Sequence, residues 1–348
     1  MTPKTYRRKL DIRNGRVDLS HGAGGRAMAQ LIADIFHVAL DNPWLRQNND
    51  QAAFDVAAGR MVMTTDAYVV SPLFFPGGDI GSLAVHGTIN DIAMAGAQPL
   101  HLSASFILEE GYPLADLKRI ADSMGAAARE AGVCVVTGDT KVVERGKADG
   151  VFISTTGIGI VPPGLELSAD KARPGDAVIL SGSLGDHGVA VMSKRQNLSF
   201  DTEIVSDSAA LHGLVADIVA AGGDALRVMR DPTRGGLAAT LNELAQQSDV
   251  GFVLRETAIP VKPEVAAACE LLGLDPLYIA NEGKLVAIVA PDAADGVLRA
   301  MRLHPLGRDA AIIGGVVADA DHFVQMTTGF GGGRIVDWLS GEQLPRIC

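Results

Sequence analysis

The residue with the clearest chemical potential is the last one, Cys348. A glycine cluster at 331–333 precedes it, and glycine permits backbone angles that other residues avoid. The chain between that cluster and the thiol can extend about 50 Å at roughly 3.3 Å per residue. We therefore expect a flexible tail that carries the thiol between a loading site and a processing site. A frayed terminus that happens to end in cysteine is the alternative.

Three aspartates, Asp66, Asp91 and Asp139, lie in or at the end of apolar segments, where an unpaired charge is costly. A fourth, Asp50, lies in a polar loop. Carboxylate oxygens are the ligands that hard cations such as Mg²⁺ prefer. The set predicts a magnesium site that holds a polyphosphate, with Lys141 as a point-charge partner. A capped or paired structural role is the alternative for any one of these aspartates.

A glycine-rich loop at 18–26, DLSHGAGGR, precedes a helical pattern at 27–40. The bare backbone N–H groups of Gly22, Gly24 and Gly25 are suited to binding phosphate. The loop matches neither the Walker A pattern nor the dinucleotide-binding pattern. A phosphate-binding loop and a simple turn are both consistent with these residues.

Composition narrows the class of protein. The chain has 348 residues, a net charge of −11 and three cysteines. The negative charge argues against a nucleic-acid partner, because binding phosphates requires clustered Lys and Arg. The cysteines form no C-x-x-C pair, which argues against a structural zinc site or a disulfide framework. No apolar run approaches the ~20 residues that span a bilayer, so we expect a cytoplasmic protein with no membrane partner.

Strand and helix patterns alternate in both halves of the chain, with a boundary near 163–174. The pattern predicts an α/β protein of α+β sandwich-like type, with two domains and mixed sheets; a doubly wound parallel fold is the alternative. The expected segments are 1–45, which is glycine-rich, a first domain at 46–163, a second domain at 174–326 and the tail at 327–348.

Polar residues at two positions do not fit the predicted helix and strand patterns around them. Asn90 and Asp91 are poor helix formers in the middle of the helix predicted at 81–96, and such conflicts concentrate at functional sites. Asp231 precedes Pro232 at the end of a predicted strand. Asp231 is either a functional carboxylate or a helix cap with proline in the first turn.

Taken together and in order, the motifs resemble the HypE family, the hydrogenase-maturation carbamoyl dehydratases. The resemblance spans nearly the whole chain and rests on these segments: HGAGG, TTDAYVVSPLFFPGGDIG, NDIAMAGA, FILEEG, VTGDTKVVERG, GDHG, RDPTRGG, PVKP, CELLGLDPL, IANEGKL, HPLG and the terminal PRIC. That family belongs to the superfamily of aminoimidazole ribonucleotide synthetase. The resemblance implies that 46–163 is an ATP-binding and dimerisation domain, and that the protein is a homodimer with ATP near the interface.

The resemblance also implies roles for individual residues. Asp50, Asp66, Asp91 and Asp139 would hold Mg–ATP, and Lys141 would contact phosphate or the carbamoyl group. The other residues implied to bind the nucleotide are Gly22, Gly24, Gly25, Asn90 and Thr140.

The implied chemistry takes place on Cys348. A partner carbamoyltransferase would load the thiol, and ATP would phosphorylate the carboxamide oxygen. Loss of phosphate would leave a thiocyanate, whose cyano group would pass to an iron held by a scaffold complex. That group is a ligand of the nickel–iron hydrogenase centre.

The dehydration needs a base for the amide N–H protons. Glu282, in the turn NEGK, is the candidate, with Asp231 and His187 as alternatives. Glu282 is equally consistent with a structural ion pair to Lys284 or Arg234.

Two other functions compete with this interpretation. A selenophosphate synthetase would need a reactive cysteine near the N-terminus, and none precedes Cys134; an aminoimidazole ribonucleotide synthetase needs no terminal thiol. A non-catalytic adaptor that uses its tail as a docking peptide is the alternative from another class.

Overall fold

The computed structural model describes residues 10–23, 25–47, 49, 51–55, 58–198, 202–338 and 345–348. Two predicted site residues, Gly24 and Asp50, lie outside these ranges. No helix within the described ranges is long and apolar enough to cross a membrane.

The first half is built on a four-stranded sheet with the strand order β1-β6-β4-β5. β1 pairs antiparallel with β6, β6 antiparallel with β4, and β4 parallel with β5. A short hairpin of β2 and β3 stands apart from this sheet. The strands are β1 Arg60–Tyr68, β2 Phe74–Phe75, β3 Gly78–Asp79, β4 Gln98–Glu109, β5 Cys134–Val143 and β6 Val151–Val161. β1 and β5 therefore form opposite edges of the sheet, roughly 14 Å apart at about 4.8 Å per strand.

Helices cover one face of this sheet. The most deeply buried helix of this half is α3, and Asp79 caps its N-terminus. The carboxylate of Asp79 accepts hydrogen bonds from the backbone N–H groups of Gly81 and Ser82 at 2.7 and 3.2 Å. The opposite face leaves Met61, Met63 and Ile107 exposed. The helices are α1 Arg26–Leu31, α2 His37–Ala39, α3 Ile80–Met94 and α4 Leu114–Glu130, and a helical turn at Ile32–Phe36 joins the first two.

The second half is built on a seven-stranded sheet with the order β13-β12-β9-β11-β7-β10-β8. Its strands are β7 Ala177–Leu180, β8 Leu226–Arg230, β9 Gly251–Arg255, β10 Val286–Val289, β11 Ala311–Val317, β12 Val324–Thr327 and β13 Gly333–Ile335. Its helices are α5 Asp186–Arg195, α6 His212–Gly222, α7 Gly236–Ser248, α8 Pro263–Leu272 and α9 Ala294–Leu303.

Both sheets are mixed, with antiparallel pairs and one parallel pair in each: β4 with β5, and β12 with β9. Apolar side chains from both faces of the second sheet enter separate buried clusters. The predicted α/β fold with mixed sheets is confirmed, and the doubly wound parallel alternative is excluded.

Part of the segment predicted as tail is structured. Gly333–Ile335 forms β13 on β12, and Gly331 takes a φ of 84° in the turn before it. Val336 is buried in the core of the second half. Residues 339–344 lie outside the described ranges, and the chain is described again at 345–348, where it contacts the first half.

Two helical glycines provide a test of the packing. A Cβ at Gly125 in α4 would lie 2.0 Å from the carbonyl oxygen of Ala39, so Gly125→Ala should destabilise the fold by about 1–3 kcal/mol. Gly296 in α9 has no such contact, and Gly296→Ala should stabilise by about 0.5–1 kcal/mol through helix propensity. Thermal unfolding measures both changes, and a Gly125→Ala melting temperature at or above the wild type would contradict the packing.

Candidate active site

The last residues of the chain dock against the segment that follows β1. The backbone N–H of Val69 donates to the carbonyl of Cys348, and that of Ser71 donates to the carbonyl of Arg346, both at 3.1 Å. These two bonds align the chain end antiparallel to 69–71, as an added strand would be aligned. The chain end is thus held against the body of the protein, with Cys348 partly buried.

Two side chains of α5 bind the tail backbone. Arg195 donates to the carbonyls of Pro345 and Arg346, each at 2.7 Å. His187 Nε2 donates to the carbonyl of Ile347 at 2.8 Å, and its Nδ1 lies 2.8 Å from the Ser206 hydroxyl.

Both nitrogens of His187 are therefore occupied. Burial lowers the pKa of this imidazole, which keeps the ring neutral with its proton on Nε2. A ring held in this way touches the tail backbone and has no free nitrogen for the carbamoyl group. The geometry favours His187 as an anchor for the tail over the predicted alternative role as base.

Docking places the thiol of Cys348 in a protected environment. Burial, reinforced by the nearby carboxylate of Glu282, raises the pKa of this thiol to about 12. Arg234 acts in the opposite direction but does not compensate. The docked thiol is consequently neutral, and it reacts slowly as a nucleophile.

Four carboxylates influence one another electrostatically beside the thiol: Asp66, Asp91, Asp231 and Glu282. The Thr64 hydroxyl donates to Asp91 at 2.7 Å, and the Tyr68 hydroxyl donates to Asp66 at 3.2 Å. Burial and the charge of Asp66 raise the pKa of Asp91. Burial and the charge of Asp91 raise the pKa of Asp231 to about 7. Like charges at this density disfavour full ionisation, so the cluster favours binding of a cation.

Asp231 reaches this cluster from the end of β8. The helix after it, α7, begins only at Gly236 and follows Gly235, so Asp231 is not a helix cap. Its position supports the functional alternative raised by the sequence.

Glu282 is the most deeply buried of the four carboxylates, at 3% exposed. Burial, followed by the charges of Asp231 and Asp207, raises its pKa well above the usual value. Within the described residues its carboxylate makes no hydrogen bond or ion pair, and Lys284 pairs with Asp207 at 3.1 Å instead. The side chain is therefore unpaired, and in its ionised form it is free to accept a proton from a group attached to Cys348.

The backbone around Glu282 is firmly held. Asp207 accepts hydrogen bonds from the N–H groups of Glu282 and Gly283, each at 3.2 Å. Burial acts to raise the pKa of Asp207, but the ammonium of Lys284, the ring of His187 and the hydrogen bonds that Asp207 accepts together outweigh it, so that the net shift is downward and Asp207 is ionised. A Cβ at Gly283 would lie 1.7 Å from the carbonyl oxygen of Asp207, so only glycine fits there.

Asn90 has a structural use in this arrangement. Its amide donates to the carbonyls of Ala209 and Glu282 at 3.0 and 3.1 Å, and its oxygen accepts from Leu211 N at 2.8 Å. Asn90 is 1% exposed. Asn90 thus uses these hydrogen bonds to position the backbone that carries Glu282, and its contact with a nucleotide stays a prediction.

A second group of predicted residues lies at the other edge of the sheet. Gly22 packs directly on β5, where a Cβ would come 2.7 Å from Val142 N. Gly25 precedes α1 and has no atom within 4 Å of its Cβ position. Of these two glycines, Gly22 is thus packed on β5 and Gly25 is open.

β5 itself contributes Asp139, Thr140 and Lys141. Both carboxylate oxygens of Asp139 accept from Lys141 Nζ, at 2.7 and 2.8 Å, and both side chains are more than half exposed. Thr140 is buried against the helices. The expectation that Asp139 is a buried carboxylate is wrong, because it lies on an exposed part of an edge strand.

One subunit therefore contains two separate groups. Asp66 and Asp91 lie near Cys348 at the β1 edge, whereas Asp139 and Lys141 lie at the β5 edge, roughly 14 Å away across the sheet. Within the described ranges, no three His, Cys, Asp or Glu side chains form a complete metal site. Mg²⁺ commonly uses one or two carboxylates together with phosphate and water, so Asp66 and Asp91 fit that ion.

Sequence reasoning missed Arg195, Asp207 and Tyr68. Arg195 is the last residue of an ordinary helix, α5, and belongs to no motif, so the sequence contains no signal for it. Asp207 is a single acid in a polar stretch. Tyr68 ends a strand predicted to be apolar, and its hydroxyl needs a buried partner, which is the one signal that was available.

The docked tail gives a direct prediction. Ile347 is 4% exposed, so Ile347→Asp should release the tail and return the Cys348 thiol to a pKa of about 8.5. Alkylation at pH 8 should then be faster by a factor on the order of 100 or more. Peptide mass spectrometry measures the rate, with Cys134 in the same sample as reference. Equal rates in variant and wild type would show that the thiol is not protected by docking.

Comparison with known proteins agrees with this geometry. Residues 48–161 match the N-terminal domain, and residues 173–327 the C-terminal domain, of the AIR synthase related proteins. Carbamoyl dehydratase HypE of Rhizobium leguminosarum bv. viciae is 77% identical over 348 residues, which cover 100% of this chain and 99% of that protein.

Two solved structures are also similar. The hydrogenase maturation protein HypE in complex with ATP is 52% identical, with a TM-score of 0.91 over 95% of this chain and 99% of that chain. A HypE–HypF complex gives 50% identity and a TM-score of 0.79 over 89% of this chain and 99% of that chain. This chain belongs to the HypE family, within the AIR synthase related proteins.

Proposed function

We propose that this chain uses ATP to dehydrate a carbamoyl group on Cys348 to a thiocyanate, which supplies the cyanide ligand for the iron of nickel–iron hydrogenase. The observation that carries the proposal is the docked terminal thiol beside the buried, unpaired carboxylate of Glu282. The names of the relatives and the ATP complex support the same reaction class.

The reaction balances as one dehydration coupled to one ATP cleavage. The carboxamide oxygen of the S-carbamoyl group attacks the γ-phosphorus of ATP, and ADP leaves. The C–O bond then breaks, the oxygen departs with phosphate, and both amide protons are lost as the C≡N bond forms. Phosphorylation is needed because hydroxide is a poor leaving group, whereas phosphate is a good one.

Different residues of the chain carry out different parts of this reaction. Arg195 and His187 fix the tail backbone, which positions the carbamoyl group. Glu282 accepts an amide proton, and its raised pKa makes its carboxylate a stronger base than an exposed glutamate. Burial of the chain end excludes water that would hydrolyse the phosphorylated intermediate.

Asp66 and Asp91 would hold Mg²⁺, with Asp231 next to them. The raised pKa values of Asp91 and Asp231, and the oxygen atoms that all three carboxylates offer, fit a hard cation. When bound, Mg²⁺ neutralises charge on the phosphates of ATP. It would also lower the cost of ionising the crowded carboxylates.

The two groups of site residues point to a homodimer. Asp139, Lys141 and the glycine loop lie at the β5 edge, too far from Asp66 and Asp91 to share one nucleotide within a subunit. The open sheet face is the face of the first sheet on which Met61, Met63 and Ile107 are exposed. A second copy that covers this face brings its β5 edge toward the β1 edge of the first. We therefore infer that each ATP lies between Asp66 and Asp91 of one subunit and the glycine loop, Thr140 and Lys141 of the other.

Partners follow from the same chemistry. A carbamoyltransferase must load Cys348, and the HypE–HypF complex supports such a partner. A scaffold that holds iron must accept the cyano group. These steps take place in the cytoplasm in this proposal, with 46–163 as the ATP-binding and dimerisation domain and 174–326 as the domain that carries Glu282 and the α5 anchors.

Glu282→Gln is the sharpest test of the reaction. The variant should keep ATP binding and a carbamoylated Cys348, but it should form thiocyanate at least ~100-fold more slowly, since the base is lost. Mass spectrometry of the tail peptide follows the loss of one water. Glu270→Gln, at an exposed position of α8, is the matched control. Wild-type thiocyanate formation in Glu282→Gln would remove this residue as the base.

The dimer is tested at the open sheet face. Met63 and Leu271 are both 72% exposed, but only Met63 lies on that face. Met63→Lys should give a monomer because it places a charge in the proposed interface, whereas Leu271→Lys should leave the dimer intact. Light scattering at micromolar concentration distinguishes the two masses. A monomeric wild type, or a dimeric Met63→Lys, would contradict the interface.

A further inference from the structure

The cleft that holds the chain end has the features of a peptide-binding site. We propose that it recognises the sequence Pro-Arg-Ile-Cys as a separable ligand, and that it accepts a carbamoylated chain end supplied by another molecule. The natural source of such a ligand is the tail of a second copy of this chain. Recognition stands on the contacts alone, and only its catalytic consequence rests on the proposed function.

The body of the protein binds every carbonyl of the last four residues. Arg195 binds the carbonyls of Pro345 and Arg346, His187 that of Ile347, and Val69 N–H that of Cys348. Such main-chain hydrogen bonds are the mode by which proteins capture extended peptides along a strand edge. None of them depends on the covalent link between the tail and the rest of the chain.

Side-chain contacts add sequence preference. Ile347 enters the apolar core of the first half. The guanidinium of Arg346 donates to the carbonyl of Val69 at 2.9 Å and pairs with Asp149 at 2.5 Å. The cleft thus selects an apolar residue next to the end of the peptide and a cation before it.

The groups that bind the tail are held by the body itself. His187 is braced by Ser206, whose N–H donates to the carbonyl of Pro76 at 2.9 Å. Arg195 donates through Nε to the carbonyl of Ser71 at 2.7 Å. These supports remain when the tail leaves, whereas the bonds from His187 Nε2 and from Arg195 to the tail are lost. Leaving such buried donors unpaired is costly, which favours refilling of the cleft by a similar chain end.

The attached tail competes with any free peptide. A short tether gives the attached end an effective concentration in the millimolar range. A free peptide therefore binds visibly only when the attached end is disabled. The double substitution Ile347→Asp/Cys348→Ala disables the attached end in the full chain, because both changes lie in the tail and leave the cleft intact. This variant is called the open chain.

Binding is measured by fluorescence anisotropy with a labelled peptide Leu-Pro-Arg-Ile-Ser that has a free carboxyl terminus. We expect saturable binding to the Ile347→Asp/Cys348→Ala chain and at least ~10-fold weaker binding to the wild type, whose own tail competes. Adding Arg195→Gln to the open chain should weaken binding ~10-fold or more, and Arg195→Lys should restore part of it. Peptide Leu-Pro-Arg-Asp-Ser is the negative control. No saturable binding to the open chain, or equal affinity for the control peptide, would overturn the proposal.

Turnover is tested separately with the open chain, Mg–ATP and a Leu-Pro-Arg-Ile peptide that ends in S-carbamoylcysteine. We expect the peptide to lose one water and become the thiocyanate. If the wild type converts its own carbamoylated tail while the open chain never converts the peptide, acceptance of a chain end from another molecule is contradicted. If neither reaction occurs, the proposed dehydration fails, and the anisotropy result still decides whether the cleft recognises the peptide.

Discussion

The crowding of Asp66, Asp91, Asp231 and Glu282 in one cleft is the constraint on which the rest of the site depends. Each buried carboxylate raises the cost of ionising the others. The cluster therefore favours binding of a cation, protonation of its own carboxyl groups and an uncharged group beside it. The docked thiol of Cys348 satisfies the last requirement, because its own pKa is raised to about 12. A carbamoylated sulfur is also neutral and fits the same place. The arrangement thus protects the chain end from unwanted reactions. It also presents a carbamoyl group on Cys348 to Glu282, which would remove the amide protons.

The geometry of a sheet explains why one subunit is incomplete. A four-stranded sheet separates its two edge strands by three strand spacings, and the predicted nucleotide residues are divided between those edges. The carboxylates near Cys348 belong to β1 and α3, whereas the glycine loop packs on β5. In the proposed dimer, a single chain would supply Cys348 and its neighbouring carboxylates to one site and the β5 edge with the glycine loop to the other. Dimerisation through the open face would combine the two ends.

Much of this was predictable from the sequence. The strand and helix patterns predicted mixed sheets in both halves, and the motifs pointed to Cys348, Glu282, Asp91 and Asp231, which the structure brings close together. Burial was harder to predict, because Asp91 and Asp139 both lie in apolar segments, but Asp91 on α3 faces Thr64 of β1, whereas Asp139 is exposed on an edge strand. The structural use of Asn90 was missed for a related reason: its partners at Ala209, Leu211 and Glu282 come from distant segments. The bonds from Arg195 to tail carbonyls leave no sequence pattern at all, since a carbonyl is present at every residue.

The measurement that tests this account most directly uses a heterodimer of an Asp91→Asn chain and an Asp139→Asn chain, distinguished by mass and both carbamoylated on Cys348. Each tail docks mainly in the cleft of its own chain, because its tether gives it the higher effective concentration there. The site with every group intact therefore mainly contains the Asp139→Asn chain's tail together with the other subunit's β5 edge. After addition of Mg–ATP, mass spectrometry should find thiocyanate predominantly on the Asp139→Asn chain, while both variant homodimers form none. Equal or greater thiocyanate on the Asp91→Asn chain, or none on either chain, would contradict the shared site.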